Sequence, residues 1–264
     1  EIMPSLVGSE MCIRDRIVDI GHDNFDSACE ALELGSVDMA VVDMAQLIRM
    51  EKNDENLPYG VVISGVLKRG DSRYVMIRKR HAKDLIENAV VATDSYSKTE
   101  RIKHMYDGIS CVVETDIRKC IEKLDASECD AVFVLLEDIK AARLHNSFLY
   151  RYTIMDYGEC VPVHGEGVYA MLTKGKKEAV RTARELSHKS TAECFEIEDD
   201  IISRVMQNVY VKTCDVYARI SSDRLEIYAD VTGNRGRIRV NERGTFVNKN
   251  LIITKIVDRI SKSM

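Results

Sequence analysis

The sequence has no tryptophan, only 3 prolines and only 14 glycines among its 264 residues. It also has no polar low-complexity stretch, and 45% of its residues are hydrophobic while 31% are charged. These features exclude collagen-like, proline-rich and intrinsically disordered proteins. A chain of this length can form two or three small domains, each with its own hydrophobic core.

Long hydrophobic runs are also missing. No apolar run approaches the roughly 18 residues that a membrane-spanning helix needs, and no apolar segment follows a basic start as in a secretory signal. We therefore expect a cytoplasmic protein that does not contact a membrane. The 38 basic and 43 acidic residues give a formal net charge of −5, which argues against nucleic acid as a partner.

The eight cysteines include no CxxC pair. This spacing excludes zinc-finger and thioredoxin-like sites, so no metal is expected. Without an export signal, we predict that most of the cysteines are reduced thiols that pack as small hydrophobic residues.

The first sixteen residues differ from the rest of the chain. Within them, Ser5–Arg16 resembles the translation of a sequencing adapter, so residues 1–16 are predicted to lie outside the fold. The first natural residue would then be Ile17, and the natural N-terminus would be missing. On this interpretation the first domain is incomplete.

The first two thirds of the chain alternate between helical and strand patterns. Apolar residues recur at helical spacing in Phe25–Leu34, and the short apolar run Val37–Val42 indicates a buried strand. Two further strands, Tyr59–Leu67 and Arg73–Ile77, are predicted to pair across the polar turn between them. The alternation predicts an α/β fold with a parallel or mixed sheet covered by helices on both faces.

After His188 the pattern changes to strands joined by hairpin-like turns. Three strands are predicted, at Cys214–Ile220, Arg224–Val231 and Arg235–Val240. A helix is predicted before them, at Phe195–Met206, and another after them, at Leu251–Ser261. Consecutive strands with covering helices indicate a separate small α+β domain at the C-terminus.

Several motifs follow one another in the order found in a single enzyme family. They include Leu34–Val41, Leu57–Gly60, Lys68–Arg73, Val91–Ser95, Pro162–Gly167 and Cys214–Ala218. Together they resemble hydroxymethylbilane synthase, also called porphobilinogen deaminase. The resemblance implies two lobes like those of type II periplasmic binding proteins, the first incomplete, and a small third domain. Residues 17–80 and 155–187 would form the first lobe, 81–154 the second and 188–264 the C-terminal domain.

The resemblance also implies a reaction and a set of site residues. The family joins four porphobilinogen units into a linear tetrapyrrole, a step in haem and porphyrin biosynthesis, on a dipyrromethane cofactor held by a cysteine thioether. That cysteine corresponds to Cys214. The family's catalytic aspartate corresponds to Gln46, with Asp43 as the alternative carboxylate three residues earlier. The positions that bind cofactor carboxylates correspond to Ser95, Ser97, Lys98 and Arg143.

Several of these positions carry residues unlike those of the family. Gln46 cannot supply the negative charge that a cationic intermediate needs, and losing one such group commonly costs about 10²–10³ in rate. Cys120 replaces an arginine, and Glu114 brings negative charge where a polycarboxylate would bind. With one arginine lost and one negative charge gained, the site should bind the carboxylates of the cofactor weakly or not at all.

Two hypotheses about function therefore stay open. The chain is either a divergent synthase with porphobilinogen as its substrate, or a catalytically inactive relative that binds another small anionic ligand between the lobes. In both cases we expect a monomer when the chain is complete. A solute-binding protein with an unrelated tail is disfavoured by the third domain.

Overall fold

A computed structural model describes residues 25–52, 56–82 and 88–264 of the chain. The segment 1–16, predicted to lie outside the fold, falls outside the described residues. The described residues form three β-sheets, each packed against helices. None of the helices described is long and apolar enough to cross a membrane.

The first sheet has three antiparallel strands, β1 (Met39–Asp43), β2 (Val61–Val66) and β8 (Tyr169–Lys174), in the order β1-β8-β2. Three helices belong to this lobe: α1 (Phe25–Glu33), α2 (Met44–Lys52) and α6 (Lys177–Leu186). The amphipathic helix α1 buries Phe25 and Leu32 against the central strand, which contributes Leu172. The helix and strand predicted at the start of the chain are thus confirmed to within a few residues.

The second sheet has five strands and is mixed. Its strands are β3 (Tyr74–Lys79), β4 (Val90–Thr93), β5 (Ser110–Val113), β6 (Ala131–Leu135) and β7 (Tyr150–Ile154), in the order β5-β4-β6-β3-β7. Strand β4 runs parallel to β5 and β6, whereas β3 is antiparallel to β6 and β7. The helices are α3 (Tyr96–Lys103), α4 (Ile117–Asp125) and α5 (Leu136–Ala141).

Both faces of this second sheet are covered. Ile102 of α3 packs on one face, while Cys120 of α4 and Ile139 of α5 pack on the other. The central strand β6 is therefore buried along its whole length, which explains its uninterrupted apolar sequence. The predicted mixed sheet with helices on both faces is confirmed here.

The predicted pairing between Tyr59–Leu67 and Arg73–Ile77 is wrong. Strand β2 pairs with β8 in the first sheet, and β3 pairs with β6 and β7 in the second. Residues 67–73 therefore cross from one sheet to the other instead of forming a hairpin turn. The lobe boundary predicted at residue 80 consequently differs from the sheets by one strand, because Tyr74–Lys79 belongs to the second sheet.

The third unit is the α+β domain that the sequence predicts. Its strands β9 (Val211–Ser221), β10 (Arg224–Gly233) and β11 (Gly236–Thr245) form an antiparallel sheet in the order β11-β10-β9. Helices α7 (Lys189–Met206) and α8 (Lys249–Ser263) pack on it. Their fully buried side chains, such as Ile201 and Ile256, meet Ile227 of the central strand.

Buried ion pairs fasten this third domain to the rest of the molecule. Arg69, in the crossing segment, donates from Nη2 to Oε2 of Glu198 on α7 at 2.8 Å, and Glu198 is fully buried. Arg101 of α3 donates to Asp215 of β9 and, at 3.2 Å, to Asp230 of β10. We call these contacts, together with the stacked rings of Tyr157, Tyr217 and Tyr228, the third-domain junction.

Candidate functional site

A cavity of about 180 Å³ lies between the first and second sheets. Its walls come from the ends of β1 and β6, from α2, from the start of α3 and the two residues before it, from the first turn of α5, and from the start of β8 with the loop before it. Its charged lining residues are Asp43, Arg49, Asp94, Lys98, Glu137, Asp138 and Glu166. The described lining thus holds five carboxylates and two cations.

Lys98 is the buried cation of this cavity, with only 4% of its surface exposed. Its Nζ lies 2.7 Å from the Asp94 carboxylate, one helical turn away, and 3.6 Å from Oδ2 of Asp138. Burial by itself would lower the pKa of Lys98, but Glu166, Asp94 and Asp138 outweigh it and raise the pKa. Lys98 therefore stays charged, and its charge is already neutralised by the protein.

Glu166 is the most deeply buried carboxylate of the cavity. A tight loop places it there: a Cβ on Gly165, which has a φ of +87°, would lie 3.0 Å from the backbone N of Ala45, so glycine is needed for the approach. Oε2 of Glu166 accepts hydrogen bonds from the Tyr74 hydroxyl and, at 3.2 Å, from the backbone N of Val163. Burial raises the pKa of Glu166 to about 7, against the opposing effect of nearby cations.

Two aspartates of the acidic wall, Asp43 and Asp138, also have raised pKa values. Burial raises the pKa of Asp138 to about 6, although Lys98 opposes the shift. Asp43 ends β1, and its Oδ1 accepts a hydrogen bond from the backbone N of Ala45 at 2.7 Å, which caps α2. Desolvation raises the pKa of Asp43 as well. Carboxyls with raised pKa values can hold or exchange a proton near neutral pH and favour a cation beside them.

Of the predicted site residues, Asp43, Ser95 and Lys98 line this cavity together. Ser97 is not among the residues that line the cavity, but its Oγ lies 3.1 Å from Oγ of Ser95. Gln46 lies on α2, half-buried, and is not among the residues that line the cavity.

Arg143 and Cys214 lie elsewhere in the described structure. Arg143 is exposed beyond the C-terminal end of α5, whose first turn faces the cavity. Cys214 lies within β9, opposite Val231, and is 94% buried in the core of the third domain. A strand was predicted from Cys214 onward, and the structure starts it three residues earlier, at Val211, so Lys212 and Thr213 belong to the strand as well.

Five charged residues of the lining were not predicted from the sequence: Arg49, Asp94, Glu137, Asp138 and Glu166. Two of them lie inside motifs already noted, Asp94 beside Ser95 and Glu166 between two glycines. A charged residue inside a glycine-flanked loop was therefore an available signal. No local signal marks Asp138, which follows the apolar strand β6 by three residues.

A family model described as "Porphobilinogen deaminase, dipyromethane cofactor binding domain" matches residues 23–182, more than half of the chain. The chain belongs to the porphobilinogen deaminase family. The porphobilinogen deaminase of Clostridium acetobutylicum is 22% identical over 218 residues, which cover 77% of this chain and 74% of that protein. The Chlorobium luteolum protein is 24% identical over 192 residues, covering 71% of this chain and 60% of that protein.

Two bacterial periplasmic proteins are among the solved structures that match the chain. The VFT2 domain of Bordetella pertussis BvgS is 16% identical, with a TM-score of 0.40 over 61% of this chain and 65% of that chain. The aliphatic sulphonate binding protein SsuA of Escherichia coli is 14% identical, with a TM-score of 0.40 over 67% of this chain and 60% of that chain.

The porphobilinogen deaminase domain matched here is the one that binds the dipyrromethane cofactor. Each pyrrole of that group carries two carboxylates, so the cofactor needs several free cations. The described cavity offers Arg49 and an already neutralised Lys98, set among five carboxylates. Its volume also lies below the roughly 300 Å³ at which typical ligand sites begin, and Cys214 does not line it. The described residues therefore do not fit the cofactor.

Proposed function

We propose that this chain is a ligand-binding relative of porphobilinogen deaminase that neither assembles a dipyrromethane nor polymerises porphobilinogen. The observation that supports the proposal most directly is that Lys98 is already paired with carboxylates of the protein. Its ammonium group is held by Asp94 and Asp138 inside a cavity with more carboxylates than cations. A polycarboxylate would have to displace these partners and then lie beside their unpaired charges, which costs several kcal/mol.

The same charge balance bears on the kind of ligand. An anionic ligand was predicted for an inactive relative, but the described cavity wall is acidic. A small molecule with an ammonium group suits it better, because Asp43, Asp138 and Glu166 would face the positive charge. A volume of about 180 Å³ limits the ligand to a compact molecule.

Cofactor loading tests the first part of this proposal. We expect the intact mass of protein produced in a host that makes porphobilinogen to equal the mass of the unmodified chain. The Cys214→Ser variant, checked for folding by its thermal melt, should likewise show no adduct. A stable adduct of two pyrrole units that is lost in Cys214→Ser would overturn the proposal and restore the synthase reaction.

Ligand preference tests the second part. In isothermal titration calorimetry we expect 1,4-diaminobutane to bind more tightly than succinate, with at least about a tenfold difference in Kd, because the wall favours cations. Asp138→Asn should weaken diamine binding, whereas Asp200→Asn on the surface of α7 should not. Tighter binding of succinate than of the diamine would contradict the assignment of a cationic ligand.

A further inference from the structure

A second concave surface lies outside the cleft, on the first lobe. It is a groove of about 640 Å³ between the start of β2 and the helix α6. Its lining residues are Gly60, Val62, Gly175, Lys177, Val180, Arg181, Arg184 and Glu185. None of them lines the inter-lobe cavity, so the groove is independent of the proposed function.

One side of the groove is the edge of a sheet. Strand β2 pairs with β8, and no strand within the described ranges pairs with its opposite edge. Val62 and Ile63 on this strand are 49% and 47% exposed. At the C-terminal end of β2, the backbone N of Val66 donates a hydrogen bond to Oγ of Ser187, and its carbonyl accepts one from the backbone N of His188. The first half of β2 is therefore the accessible part of this edge. An open edge presents backbone donors and acceptors to another extended chain.

The other side of the groove is positively charged. Lys177, Arg181 and Arg184 have the spacing i, i+4, i+7, which places them on one face of α6, and Val180 belongs to the same face. Glu185 is the one anion among the described lining residues, and its carboxylate lies 3.6 Å from Arg181. This local excess of cations stands out in a chain whose formal net charge is −5.

We propose that this groove docks an extended acidic segment of a partner protein, added as a strand to the free edge of β2. Main-chain hydrogen bonds to β2 would hold the segment in place. Its alternating apolar side chains would cover Val62 and Val180, and its acidic side chains would face Lys177, Arg181 and Arg184. Charge complementarity selects an acidic segment over a basic one.

The same geometry disfavours two other occupants. A second copy that paired β2 with β2 about a two-fold axis would bring its own basic face against this one, and like charges repel. Nucleic acid would engage the cations but would leave the strand edge and the exposed Val62 without a partner. An extended acidic peptide uses all three features of the groove.

Fluorescence anisotropy with labelled synthetic peptides tests the proposal. We expect the wild-type chain to bind a short peptide of alternating glutamate and valine, and to bind it more weakly as salt is added. The double variant Arg181→Glu/Arg184→Glu should bind at least about tenfold more weakly. The matched variant Lys255→Glu/Lys262→Glu, which reverses two exposed charges on α8, should bind as the wild type does.

Two further peptides separate the contributions on the wild-type chain itself, so the test does not depend on the folding of a variant. A lysine–valine peptide should not bind, and a glutamate–valine peptide with alternate N-methylated amides should lose binding because it cannot pair with an edge. No saturable binding of the acidic peptide in the millimolar range, or undiminished binding of the N-methylated one, would overturn the proposal. So would a dimer in sedimentation equilibrium that the acidic peptide fails to dissociate, or single-stranded DNA that competes with the peptide for the groove.

Discussion

The inter-lobe cavity and the third-domain junction both bury charged side chains, but they balance them differently. At the junction, an arginine faces each deeply buried acid, and Arg69 lowers the pKa of the fully buried Glu198 despite its desolvation. In the cavity, carboxylates outnumber cations, and burial raises the pKa values of Asp138 and Glu166. Paired charges of the first kind serve the fold. Unbalanced charges cost stability, and we propose that those of the cavity serve ligand binding.

The largest change in stability is expected when a buried acid of the third-domain junction loses its arginine partner. Replacing Arg69 by Met leaves the Glu198 carboxylate buried without its main partner, which should lower the free energy of unfolding by about 3–5 kcal/mol. Urea denaturation of the purified variant measures the change. The double variant Arg69→Met/Glu198→Leu should recover most of the loss, because it removes the stranded charge as well. A loss below about 1 kcal/mol in the single variant would show that this ion pair is not what holds the junction.

In the cavity, removing a buried charge should raise the stability of the fold instead of lowering it. The folded-state pKa of Glu166, about 7, lies above its ordinary value of 4.5. Its contribution to stability is therefore fully present below pH 4.5 and is lost as the pH rises through 7. Glu166→Gln removes this dependence and can still accept the hydrogen bond from Tyr74. We expect the variant to be more stable than the wild type by up to about 3 kcal/mol at pH 8, with the difference vanishing near pH 4.5.

Thermal melts across this pH range measure the effect of Glu166→Gln. The exposed Glu196 on α7 offers a matched control, and Glu196→Gln should leave the profile unchanged. If Glu166→Gln destabilised the chain at pH 8, the carboxylate would be a structural partner of Lys98, and the contrast between the two regions would disappear.

The smallest effect concerns the rings of the junction. Tyr157 stacks on Tyr217 with ring centroids 4.1 Å apart. Such a stack contributes about 0.5–1.5 kcal/mol beyond its buried area. Tyr157→Leu, which keeps an apolar side chain, should therefore cost about 1–2 kcal/mol in urea denaturation. Tyr59→Leu, at a ring that is 97% exposed, should cost nothing measurable.

The sequence predicts the local elements of the fold better than their pairing. Helix α1, strand β1 and the three strands of the third domain can be predicted from the local pattern of apolar residues, because the apolar residues of each element face a core. The strands with which β3 pairs cannot be predicted from the local sequence, since β6 and β7 lie more than fifty residues further along the chain. The polar residues between β2 and β3 resemble a hairpin turn, and only the completed sheets show that they form a crossing. Helix α5 was missed because its first residue, Leu136, continues the apolar run of β6.

The candidate site was predicted in part, for a related reason. The resemblance to the family points to Asp43, Ser95 and Lys98 as site residues, and in the structure these three residues line one cavity. It could not show that Asp138, from a different helix, approaches Lys98 and neutralises it. Nor could it show that β9 begins before Cys214 and buries that thiol, since a strand's length depends on the partner strand that extends it.

The crossing segments between the lobes have a mechanical consequence. The chain passes from one lobe to the other through residues 67–73 and again through 155–168. The first passage is fastened to α7 through Arg69, and the second meets β9 through the backbone N of His164, 3.4 Å from Asp215, and through the ring of Tyr157. Both connecting segments are therefore attached to the third domain. Although the third domain comes last in the chain, it contacts both connections between the lobes, and we expect substitutions at these contacts to change how freely the two lobes move relative to each other.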